Sequence, residues 1–117
     1  MMLKKSLLFF AVILIVLLSS CAQDVDYVDV KYRDTPVNVA ASQFEYLNTD
    51  ISTFIDGAWY DKQKKYMIIK LNEVHYHYCG LPEPVWNDFK KAESFGTFYN
   101  QFIKGHYDCR EGYIPDY

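Results

Sequence analysis

The chain has 117 residues, 50% of them hydrophobic and 18% aromatic, and a formal charge of −3 at neutral pH. That length accommodates one small domain. The acidic balance excludes a broad phosphate-gripping surface, which requires clustered lysine and arginine. In chain order, the first predicted element is an export signal over residues 1–20. "MMLKKS" supplies Lys4 and Lys5, and "LLFFAVILIVLL" supplies twelve uninterrupted apolar residues. That run is shorter than the roughly 20 residues that span a bilayer and suits the core of a signal peptide.

The apolar run leads into "LSSC", Leu18 to Cys21. This resembles the lipobox of bacterial lipoproteins, in which an aliphatic residue and two small residues precede the cysteine whose thiolate accepts a diacylglyceryl group. The resemblance implies cleavage before Cys21 and a membrane partner reached through the lipid anchor, since each buried methylene adds ~0.8 kcal/mol. Ala22 and Gln23 follow, with no aspartate beside the lipid. Under the sorting rule of enteric bacteria this implies the outer membrane, facing the periplasm. The signal carries Lys4 and Lys5 and no acids, so residues 21–117 have a charge of −5. Nucleic acid is therefore an unfavoured partner, and an envelope protein or peptide a better one.

Residues 21–51 read as the lipidated cysteine and a tether with possible short strands. "VDVKY" places Val28, Val30 and Tyr32 on one face, and "TPVNV" places Val37 and Val39 on one face. "ASQFEYLNTD" fits a loop or a helical turn equally. With its first dozen residues extended, such a tether reaches on the order of 40 Å. From Ser52 the pattern sharpens to "STFIDGAWY", a charged turn over 61–65, "YMIIKL", a two-residue connection at Asn72 and Glu73, and "VHYHYC". These predict a three-stranded antiparallel meander. Gly80 and Pro82 break the last strand. "PEPVWNDFKKA" predicts a helix with Pro84 in its first turn and Val85, Phe89 and Ala92 as its apolar stripe. Gly96 supplies a turn, "TFYNQFIK" a second helix ending at Gly105, and residues 111–117 an irregular tail. The predicted fold class is small α+β, with two helices packed on the meander.

The order "YHYCGLPEPVW … KAESFGTFYNQFIKGHY" resembles the KTSC domain, a short module that also stands at the C-terminus of some lysyl-tRNA synthetases. The resemblance covers about Ser52 to Arg110, assigned as the domain over 52–110. It rests on Tyr76 and Tyr78, on Gly80 and Pro82, on the small residues Ala92, Ser94 and Gly96, and on "FYNQFIK". It implies no catalytic residues and no cofactor. The synthetase context implies RNA binding, against which the acidic balance and the export signal both speak.

Two cysteines remain beyond Cys21. Cys79 ends the third strand and Cys109 lies past the second helix, so helices folded back on the sheet bring the two ends together. Exported thiols oxidise, and a Cys79–Cys109 disulfide is the expected pairing. The alternative uses His75, His77 and Cys79, which recur on one strand face, with His106 or Cys109 completing a tetrahedral metal site. No CxxC or HExxH spacing supports that set, which leaves the histidines half-exposed beside a disulfide. Tyr76 and Tyr78 suit cross-strand packing. The functional version joins them with Trp59 or Trp86 and His77 in an aromatic patch flanked by Lys104 and Arg110, for a peptide, glycan or base. No GxSxG elbow, glycine-rich phosphate loop or paired carboxylates are present, so the sequence reads as a non-enzymatic binding or structural adaptor module.

Overall fold

A computed structural model describes residues 24–117. The predicted signal peptide and Cys21 lie outside the described residues. Strand β1 (Tyr27–Val28) pairs antiparallel with β2 (Val37–Asn38) as a separate ribbon, with Val28 opposite Val37. Strands β3 (Glu45–Leu47), β4 (Ile55–Asp61), β5 (Tyr66–Leu71) and β6 (Val74–Cys79) form an antiparallel sheet in chain order. Helix α1 (Glu83–Lys90) and a short α2 (Phe95–Phe98) follow, and α2 runs on into a π-helical turn at Tyr99–Ile103. The fold is thus α+β as predicted, but the meander has four strands rather than three, and six strands occupy two sheets. The strand at "EYL" leaves no alternation in the sequence, because only Leu47 turns inward. Glu45 and Tyr46 are exposed, and three residues are too few for alternation to register.

Strand β5 sits between β4 and β6 and is buried on both faces, which is why "YMII" is apolar at consecutive positions. Met67 and Ile69 point to the helices, and Tyr66 and Ile68 to the opposite side. Trp86 and Phe89 anchor α1 on the first face, and the Trp86 ring stacks on Tyr60 at 5.0 Å. The predicted stripe missed Trp86; Val85 and Ala92 are only half-buried at its margin. Ile55 lies opposite Leu71 and Ala58 opposite Ile69, so β4 carries one extra residue in a bulge. Gly57 occupies the bulge at φ 129°, where a Cβ would meet Tyr46 Cε1 at 3.1 Å. The bulge keeps Ile55, Ala58 and Tyr60 all in the helix-side core. At the β5–β6 turn both Asn72 and Glu73 have positive φ, the twist a two-residue hairpin demands, without a glycine.

Gly96 does not make a turn. Ser94 caps α2 by accepting the Thr97 amide, and Gly96 lies inside the helix, where a Cβ would come 2.6 Å from Phe54 Cε1. The glycine lets the helix approach the loop before β4.

The second face of the sheet has its own core. Val30, Val37 and Val39 pack with Tyr66, Ile68, Cys79 and Cys109. Residues 27–39 therefore form a folded layer over this face, within the segment that the sequence suggested was a tether with possible short strands. The disulfide between Cys79 and Cys109 holds the C-terminal segment onto the same face, with the two Cα atoms 4.8 Å apart. Among the described residues no helix is long and apolar enough to cross a membrane.

Candidate functional site

Strand β6 forms one edge of the sheet, and the chain closes that edge at two points. Val30 makes a parallel bridge to His75, whose carbonyl accepts the Lys31 amide at 2.8 Å. Further along, the Cys79 amide donates to the Tyr107 carbonyl at 2.9 Å. Between these closures lies a cleft of about 710 Å³. Tyr76, His77 and Tyr78 form its floor, Tyr32, Arg33 and Asp34 one wall, and Gly105, His106, residues 108–110 and Ile114 the other.

The predicted patch is thus partly assembled. Tyr76, His77, Tyr78 and Arg110 line the cleft together, joined by His106. Trp59 and Lys104 do not line it. Trp59 packs against Tyr46 and His75, with ring centroids 5.4 and 5.6 Å away, and Lys104 is exposed beyond the helix end. Trp86 lies in the core under α1. Tyr32, Arg33, Asp34 and Asp108 were missed. Nothing local marks them; the Val30–His75 bridge and the disulfide carry them to the cleft.

His77 is not half-exposed. It is 9% accessible, and its Nδ1 shares a 2.8 Å hydrogen bond with the Tyr66 hydroxyl. Burial, helped by the Arg33 charge, pushes its pKa below the ordinary imidazole value. Burial likewise raises the Tyr66 phenol to about 12. Tyr78 and Tyr99 share a 2.6 Å hydrogen bond between hydroxyls, and burial drives Tyr78 far above the usual phenol range. His77 and Tyr78 are each held in place by a hydrogen-bond partner, which preorganises these two residues of the floor. Asp108 is gripped by the Arg110 guanidinium, which pulls its carboxyl down to about 2.

Arg33 stands differently. Its guanidinium carbon lies 5.7 Å from the Tyr66 ring centre and 5.5 Å from that of Tyr117. Its Nε donates to the Thr35 carbonyl, while Nη1 is buried without a hydrogen-bond partner. Among the described residues, no carboxylate forms a salt bridge with it.

As for a metal, Cys79 and Cys109 are bonded to each other and His77 Nδ1 is engaged by Tyr66. Among the described residues, no three histidine, cysteine or acidic side chains are placed to hold an ion. The face that carried the metal alternative is a packed layer.

The KTSC domain family model matches residues 51–107. A crystal structure of a KTSC domain protein from Yersinia pestis is 31% identical in sequence. The match covers 49% of this chain and 82% of that one, with a TM-score of 0.47. No curated protein matches the chain at a significant level. The matched span contains β4 to β6 and both helices, while Val30, Val37, Val39 and Cys109, which cover the second face, fall outside it. The chain belongs to the KTSC domain family, whose module it carries over residues 51–107.

Proposed function

We propose that this protein is a bacterial envelope lipoprotein. In this reading it is anchored through Cys21 of "LSSC", and its KTSC domain serves as a non-enzymatic binding module at the periplasmic side of the outer membrane. The observation that carries the binding role is the preorganised cleft on the β6 edge. Its size falls within the range of ligand sites, and its tyrosines offer broad amphipathic contact area at low entropic cost. Its ionisable groups favour holding a ligand over reacting with one, because the buried histidine is bonded to a phenol and the two cysteines to each other. The anchor follows from the basic start, the short apolar core and "LSSC".

The test uses the full exported chain, extracted from its membrane in detergent. A palmitate analogue is expected to label the wild type and leave Cys21→Ser unlabelled. Peptides, oligosaccharides and single-stranded RNA are then compared through the amide NMR signals of Tyr76, His77 and Tyr78. Binding by one class, without turnover, is the expected result. Turnover of an envelope substrate that one polar substitution abolishes would sink the binding-module reading.

A further inference from the structure

Resting on that reading, we infer that the cleft takes an extended peptide, which pairs through its main chain with His77 and places a single carboxylate on Arg33. Residues along a strand direct their backbone polar groups alternately to one side and the other. The His75 carbonyl and the Cys79 amide both bond outward, to Lys31 and Tyr107. His77, midway between them, therefore also presents its amide and carbonyl outward, into the cleft. Among the described residues neither group has a partner on that side. A sheet edge with an open donor and acceptor is completed by another extended chain.

The flanking side chains define the guest further. Tyr76 and Tyr78 face the helix side of β6 and His77 the other, so a guest strand meets tyrosine rings on one side and the Arg33 wall on the other. The Arg110 charge is already met by Asp108, whereas Arg33 has no acidic partner among the described residues. Asp34 on the same wall supplies an opposing negative charge. That combination suits one carboxylate and disfavours a polyanion such as nucleic acid.

The experiment titrates the full exported chain in detergent with a capped six-residue valine and threonine peptide carrying one central glutamate. Two further peptides have glutamine in place of the glutamate, or N-methyl groups on the residues flanking it. The glutamate peptide is expected to shift the His77 amide signal. N-methylation should weaken binding about five-fold or more by removing main-chain donors, and glutamine about ten-fold by removing the charged contact. Arg33→Gln should erase the difference between the glutamate and glutamine peptides. Because the peptide changes leave the protein untouched, any loss of stability in Arg33→Gln does not obscure the result. Equal binding of the N-methylated peptide overturns main-chain pairing, and equal binding of the glutamine peptide overturns the carboxylate contact. If an oligosaccharide or RNA shifts Tyr76 and Tyr78 while no peptide does, the inference fails and the binding module stands. If nothing shifts them, both fail.

Discussion

Replacing both bonded cysteines, as Cys79→Ala/Cys109→Ala, removes the covalent closure of the C-terminal segment. The bond spans a sequence separation of 30 residues. On the chain-entropy account, freeing a loop of that length returns about 12 cal/mol/K to the unfolded chain, or about 3.7 kcal/mol at room temperature. The described domain has an unfolding entropy on the order of 0.2 kcal/mol/K, so the midpoint should fall by about 18 °C. The assay is thermal and urea unfolding followed by near-ultraviolet circular dichroism. Wild-type protein in excess reductant serves as the second arm, because it loses the same bond with no change of side chain. Both arms should fall together. A wild type whose midpoint is unmoved by reductant, or a double variant that loses less than about 1 kcal/mol, would refute the reasoning. It would mean that packing of Cys109 and its neighbours alone holds the segment on the sheet.

Three other substitutions or conditions probe different links. Gly96→Ala would ordinarily favour a helix by about 1 kcal/mol. Here the added methyl would meet Phe54, and a net loss of about 1 kcal/mol is expected in urea unfolding. Tyr60→Phe strands the Leu81 carbonyl that accepts the buried hydroxyl at 2.6 Å, and should cost about 1–2 kcal/mol in the same assay. Burial, first among the causes, depresses the pKa of both His75 and His77 below 6.5. The unfolded chain then binds protons that the fold resists. Their contribution is present above that value and is lost as pH falls through it toward the folded pKa values. Midpoints measured between about pH 7.5 and pH 5 should decline, and His77→Gln should flatten part of that slope.

The central part of this fold was legible because its chemistry is local. Alternation in "VHYHYC", the unbroken apolar run in β5 and the turn at Asn72 each declare themselves within a few residues. The disulfide was legible too, since the end of β6 and the end of the helical segment have few ways to avoid each other in so small a domain. What escaped depended on partners distant in sequence. His77 looks like an ordinary edge-strand histidine until Tyr66 and the N-terminal layer close over it. Gly96 reads as a turn residue because nothing nearby announces the Phe54 ring against it. The Arg33 wall has no motif at all; one backbone bridge from Val30 to His75 positions it.

Sheets grow by adding strands, and an open rim is a template for a second copy of the same chain. The two rims of this sheet answer that hazard differently. The β3 rim is only three residues long, and its Glu45 is tied back to Trp86 and Lys90. The β6 rim is longer but clamped at both ends, leaving a window one residue wide at His77. A whole sheet cannot dock through such a window, so self-templated growth is blocked while a slender chain still gains entry.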